Sequence, residues 1–136
     1  MSKIKNRNSF VAKEENGFVE TGFAKIDTER ETRTGLPEII YAPGKTNEQL
    51  VTLFRAFQDN NVKAIATRIN RGQAAHFLQA FPDLSYFEKA SILASPPSPK
   101  IKQKLPQTVA VVTAGTSDLP VAEEACITLE LLGVHT

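Results

Sequence analysis

Apolar residues recur along this chain with two periods, and the switches between them mark its elements. Residues 38–42, Glu-Ile-Ile-Tyr-Ala, are a short β-branched and aromatic run that predicts a strand, and Pro43, Gly44 and Lys45 turn out of it. Thr46 followed by Gln49 has the pattern of a capping box, in which each side chain satisfies a free N–H at the start of a helix. Leu50, Leu53, Phe54 and Phe57 then recur at helical spacing, and the stripe fades at Asp59, Asn60 and Asn61. Residues 62–69 predict a second buried strand around Ala64, Ile65 and Ala66. Residues 73–81 predict a shorter helix that packs Ala74, Phe77, Leu78 and Phe81 and stops at Pro82, and residues 84–94 a third strand with Phe87 and Ile92. Strand, helix, strand, helix, strand is the order of a small parallel sheet with right-handed crossovers, which sets the class as α/β.

The flanks differ from this middle. Residues 1–16 are polar, with Lys3, Lys5, Arg7 and Lys13 among asparagines and no sustained period, so a mobile or partly helical arm is expected. Residues 17–27 mix Phe18, Val19, Phe23 and Ile26 with two glycines and predict a short strand or hairpin. Residues 28–33 are strongly charged and end in the loop signal Thr34, Gly35, Leu36, Pro37. Residues 95–106 carry four prolines and three lysines and read as a semi-rigid linker. The expected division is an arm at 1–16, an α/β domain at 17–94, a linker at 95–106 and the opening of a second domain at 107–136.

That opening begins with Val109, Ala110, Val111, Val112 and Thr113, which suit a central strand buried on both faces of a parallel sheet. Gly115, Thr116, Ser117 and Asp118 make a small-residue turn, and Ser117 or Asp118 can cap the helix that follows. Pro120 is tolerated in its first turn, Glu123 and Glu124 lie near its positive end, and Val121, Ala122, Ala125, Cys126, Leu129 and Leu132 leave an apolar face that stops at Gly133. About 30 residues cannot bury a core of their own.

Composition removes several functional classes. Sixteen basic and fifteen acidic residues leave a net charge of +1, which gives no support for a nucleic-acid or membrane surface. Cys126 is the one cysteine, which excludes an internal disulfide and any cysteine metal spacing, and on the apolar helix face it reads as a buried structural thiol. His76 and His135 stand apart and read as surface or packing residues, so no metal site is expected. There is no apolar run of membrane-spanning length and no signal-peptide core, and a cytoplasmic location is expected.

Three places carry candidate chemistry. The 115–118 turn would lie at the carboxyl end of a parallel strand, where open α/β sheets bind ligands, with Gly115 admitting a close approach and Thr116, Ser117 and Asp118 offering polar groups. A purely capping role for Asp118 fits equally. Lys45 and Thr46 open a helix after a strand, which suits a phosphate, although Ile39 stands where a P-loop has its leading glycine; a capped helix with a surface lysine fits as well. Arg68 ends the next strand and would converge with Lys45 if the two strands are neighbours. Arg30 and Arg33 share a face if their stretch is helical, with a surface salt-bridge cluster including Asp27 and Glu38 as the simpler reading.

Residues 109–125 as a block resemble the opening of the catalytic domain of LarB, the pyridinium-3,5-biscarboxylic acid mononucleotide synthase family of nickel-pincer cofactor biosynthesis. Its catalytic domain is related to PurE-type aminoimidazole ribonucleotide carboxylases, whose first loop is a similar Gly, Ser and Asp turn. Residues 24–30 and 33–38, with Gly44, Lys45, Thr46 and Ala66, Thr67, Arg68, resemble the amino-terminal region of LarB and have no counterpart in PurE. The resemblance covers residues 17–136 and implies a small α/β domain, a proline-rich linker, and the first strand and helix of a doubly wound PurE-like domain. It implies a family that continues past this point, with its nucleophilic cysteine in the later part, so the chain is expected to be truncated and inactive alone.

The implied activity is carboxylation of the pyridinium ring of nicotinic acid adenine dinucleotide by CO2 or bicarbonate, with hydrolysis of its phosphoanhydride. Under that resemblance Gly115, Thr116, Ser117 and Asp118 hold the mononucleotide half, and Asp118 assists proton movement or binds a hydroxyl or Mg2+. Lys45, Thr46, Arg68, Arg30 and Arg33 are the further substrate-binding candidates. No tightly bound organic cofactor is implied; a homo-oligomer is implied for the full-length family, and neither nucleic acid nor membrane is an expected partner. The alternatives are a non-catalytic nucleotide-binding fragment and a purine-biosynthetic carboxylase-like protein.

Overall fold

A computed structural model describes residues 13–15, 17–96 and 108–136. Its first layer is an antiparallel meander of β1 (Lys13–Glu15), β2 (Phe18–Glu20) and β3 (Lys25–Asp27), so the expected hairpin is three strands. Gly17 makes the β1–β2 turn at φ +77, a left-handed conformation that glycine adopts without the strain a side chain would bring. Val19 and Ile26 face each other across β2 and β3 and are both buried, which ties the meander to the main core. The helix α1 (Arg30–Thr34) follows and ends at Gly35, which is left-handed at φ +75.

The second sheet has the order β4–β5–β7–β6, built from β4 (Ile39–Tyr41), β5 (Ile65–Thr67), β6 (Ser85–Phe87) and β7 (Ile92–Ala94). The helices α2 (Asn47–Asp59) and α3 (Arg71–Ala80) connect β4 to β5 and β5 to β6. β4 and β5 are parallel, with Ile40 opposite Ala66, as the alternating order predicts. The expected single third strand is instead a hairpin: β6 and β7 are antiparallel, and β7 lies antiparallel to β5. The sheet is therefore mixed, within the α/β class. The cause lies at Glu88, Lys89 and Ser91, whose polar side chains break the apolar pattern; Ser91 takes φ +53 and donates its N–H to Glu88 O at 3.1 Å.

The central strands β5 and β7 are buried on both faces, while the edge strand β4 leaves Ile39 and Tyr41 exposed. One face brings Ile40, Ala66 and Leu93 against Leu50, Phe54 and Phe57 of α2 and Phe77 of α3. The ring centroids of Phe54 and Phe77 stand 5.3 Å apart. The other face, with Ile65, Ile92 and Ala94, is covered by Leu131 and Ile127 of α4 (Leu119–Leu131). Covered on both sides, strands read as continuous apolar runs, which is why Ala64, Ile65 and Ala66 show no alternation.

Residues 109–113, expected as a central buried strand, have ladder contacts only at their start. Thr108 bridges His135 in parallel, and Val109 N–H donates to His135 O at 2.8 Å. Val112 is 89% exposed. A parallel strand satisfies its backbone only against neighbours, and among the described residues no strand runs beside this one. Of the expected arm, residues 13–15 appear as β1, and residues 1–12 and 16 lie outside the described residues. The expected linker lies outside them from residue 97 on.

Candidate functional site

Two parallel neighbours put two helix starts on one edge. The loops after β4 and β5 leave the carboxyl end of the sheet side by side, and Ala42 N–H donates to Thr67 O at 3.1 Å just past the ladder. The first loop is a Pro-Gly turn: Gly44 sits at φ +79, and Lys45 N–H donates to Ala42 O at 3.1 Å. Thr46 then caps α2 reciprocally with Gln49 through contacts of 3.3 and 2.9 Å. The second loop repeats the device, with Asn70 and Gln73 capping α3 at 2.9 and 3.1 Å.

The cations at this edge have partners within the protein. Lys45 Nζ donates to Tyr41 O at 2.7 Å. Arg68, at φ +60, places Nε 2.8 Å from Glu124 Oε2 on α4. The edge therefore holds both groups in neighbouring loops, and their side chains turn to different partners. Arg71, the first residue of α3, pairs with Glu88.

Arg30 and Arg33 do lie on one short helix. Arg33 reaches back to Asp27 by two contacts of 2.5 and 3.2 Å, and the Asp27 side chain is only 11% exposed. A fork-to-carboxylate pair of this kind satisfies both oxygens of a carboxylate that burial would otherwise penalise. Arg33 also stands over Phe18, with Cζ 6.0 Å from the ring centroid. Arg30 is exposed at the start of the same helix.

The 115–118 turn is present as a 3-10 turn, Thr116–Asp118, leading directly into α4. Asp118 N–H donates to Gly115 O at 3.2 Å, and Ser117 Oγ donates to Asp118 Oδ1 at 3.5 Å. Asp118 occupies the cap position of α4, yet its side chain makes no capping bond. Thr116, Ser117 and Asp118 are exposed, and behind them Thr113 Oγ1 is buried with no hydrogen-bond partner among the described residues. No cluster of three His, Cys, Asp or Glu occurs among the described residues. A Mg2+ at the turn would thus rest on the single carboxylate of Asp118, with water or substrate phosphate supplying its other ligands. Cys126 is half-buried on α4.

Sequence reasoning missed the residues that join α4 to the sheet. Glu124 was read as a helix-start charge, and it holds Arg68. Lys63 donates to Leu131 O at the far end of α4, and burial lowers its pKa below the usual lysine value, with Glu31 pulling the other way. Neither pairing has a local signal, since the partners are 56 and 68 positions apart. Burial raises the pKa of the Tyr86 phenol, assisted by Glu88, and its hydroxyl donates to Ile69 O at 3.1 Å. Glu48 titrates lower than usual because its own backbone N–H, and then the Thr46 hydroxyl, bond its carboxylate.

Fold and site together define an α/β protein with two capped helix starts on the carboxyl edge of its second sheet and a Gly-Thr-Ser-Asp turn leading into a docked helix. The LarB/PurE-like N-terminal domain matches residues 18–96, and the chain belongs to that family. It is also similar to the uncharacterized protein MJ0165 of Methanocaldococcus jannaschii, 34% identical over 116 residues that cover 82% of this chain and 45% of the relative. The chain thus spans less than half the length of that curated relative. Among the described residues no helix is long and apolar enough to cross a membrane.

Proposed function

We propose that this chain serves nickel-pincer cofactor biosynthesis, in the carboxylation of the pyridinium ring of nicotinic acid adenine dinucleotide and the hydrolysis of its phosphoanhydride. The products are pyridinium-3,5-biscarboxylic acid mononucleotide and AMP. The observation that carries the reading is membership of the LarB/PurE-like N-terminal domain family over residues 18–96, followed by a Gly-Thr-Ser-Asp turn with an exposed carboxylate.

In this reading a cysteine thiolate adds to the electron-poor ring, the neighbouring carbon attacks CO2, and loss of that carbon's proton with expulsion of the thiolate restores aromaticity. The thiolate is assigned to the later region of the family, because Cys126 is half-buried on α4. The 115–118 turn receives the mononucleotide, with Asp118 moving a proton or holding a hydroxyl or Mg2+. Lys45 and Thr46 meet the phosphate or adenylate part at the carboxyl edge by lengthening or exchanging their present contacts, and Arg68 meets the substrate from its place beside Glu124. Arg33 is engaged with Asp27 and Arg30 is exposed on the same short helix, so neither is assigned a contact at this edge.

A second reading rests on the two capped helix starts side by side at the carboxyl edge of β4 and β5: a nucleotide-binding unit that does not turn over by itself. One experiment separates the two. The purified 136-residue chain is incubated with nicotinic acid adenine dinucleotide, labelled bicarbonate and Mg2+, alone and with a family protein that carries the later region. Label incorporated by the combination or by a fused full-length chain supports the synthase. Nucleotide binding with no incorporation in any combination leaves only the binding unit.

A further inference from the structure

Where β5 ends, Arg68 and one side of α4 line a shallow, open groove of about 410 Å3, its other residues being Val121, Glu124, Ala125, Thr128 and Leu129. Its composition is uneven. Val121, Ala125 and Leu129 recur at helical spacing and give one apolar wall, with the Thr128 hydroxyl beside them. The charge is concentrated at one end, in Arg68 and Glu124.

The contact between those two is made at Nε, 2.8 Å from Glu124 Oε2, and the arginine side chain remains 50% exposed while the glutamate is 21% exposed. A guanidinium carries five N–H donors in a rigid fork, and Nε holds one of them. A carboxylate that grips Nε fixes the plane of the fork and turns its Nη edge away from itself. Arg68 is anchored further by its place, one residue past the β4–β5 ladder. The groove begins at Val121, in the first turn of α4, three residues past Asp118.

We propose that this groove is a subsite for an organic anion, a carboxylate or phosphate borne on a flat, largely apolar body. Glu124 is the positioning residue that holds Arg68 by Nε, and Arg68 grips the anion through its Nη edge while the body lies on Val121 and Ala125. The subsite deepens the proposed function and rests on it only for the source of the anion, which is either the ring carboxylate or a phosphate of the dinucleotide.

The test is a titration of the 136-residue chain, with nicotinate, AMP and inorganic phosphate as probes, followed through the 1H–15N signal of Arg68 Nε–H. Nicotinate or AMP is expected to shift that signal saturably, and inorganic phosphate, lacking the apolar body, to bind at least tenfold more weakly. Arg68→Lys, which keeps the charge and removes the fork, is expected to weaken binding at least tenfold with an unchanged thermal midpoint. Glu124→Ala is expected to weaken it about fivefold, with Glu124→Gln restoring part of the loss. Nicotinate alone marks the carboxylate as the source, and AMP alone the phosphate. If no probe moves the signal, or Arg68→Lys binds as the wild type does, the pair is a helix-docking contact only and the subsite is overturned. Saturable binding without carboxylation by any family combination would remove the synthase reading and leave the subsite standing. Carboxylation with an Arg68→Lys Michaelis constant equal to that of the wild type would do the reverse.

Discussion

Lys63 shows how one residue can carry a cost and a contact together. Its ammonium donates to Leu131 O, at the negative end of α4, where a cation is favoured. Burial lowers its pKa below the ordinary 10.5, against the opposing pull of Glu31. The unfolded chain therefore holds that proton more tightly than the folded one between the lowered value and 10.5. Stability follows the difference in bound protons, so in that window it rises with pH, and the cost is fully present below the folded value, at neutral pH included. The urea midpoint of the wild type relative to Lys63→Met should climb from pH 8 toward 10.5. A flat or falling difference would mean that the carbonyl contact, and not burial, sets this lysine's titration.

At the scale of elements, α2 and α3 share one design, each opening with a reciprocal cap at the carboxyl edge of a strand. Removing such a cap by Thr46→Ala or Asn70→Ala should cost about 1 kcal/mol each in urea denaturation. The two sites are separate loops with no shared partner, so the double variant should lose close to the sum. The first cap was plain in the sequence, because Thr46 and Gln49 sit between a turn and a clean apolar stripe. The second was equally local, Asn70 and Gln73, yet the helix was placed from residue 73 on because its apolar face is weaker and begins only at Ala74. The parallel β4–β5 pair was legible because each strand precedes a helix of sufficient length. The β6–β7 hairpin was not, because Phe87 and Ile92 bracket a four-residue turn that contains neither glycine nor proline. The site was legible to the same degree: local motifs gave the 115–118 turn and the loop of Lys45 and Thr46, whereas the partners of Arg68 and Lys63 depend on where α4 docks.

That docking is the property of the whole molecule. α4 lies on the second face of the mixed sheet, held by Leu131 and Ile127 in an apolar cluster with Ile65, Ile92 and Ala94, by Glu124 to Arg68, and by Leu131 O to Lys63. Val121 and Leu119 on the same helix remain 56% and 49% exposed, and Val112 ahead of it 89%. A helix apolar on more than one side, with one side covered, gains only part of the burial its composition allows. The neighbouring core is complete by contrast, with Phe54, Phe57 and Phe77 at 2%, 1% and 0% exposure. Two regions of unequal stability should therefore open separately. Leu131→Ala removes the one fully seated anchor of α4, a truncation that costs about 2–5 kcal/mol in a buried site. The expected result is faster amide exchange across Leu119–Leu131, with protection of Asn47–Asp59 unchanged. Equal acceleration in both helices would show instead that α4 and the sheet fold as one unit, and that the N-terminal domain requires α4 for its stability.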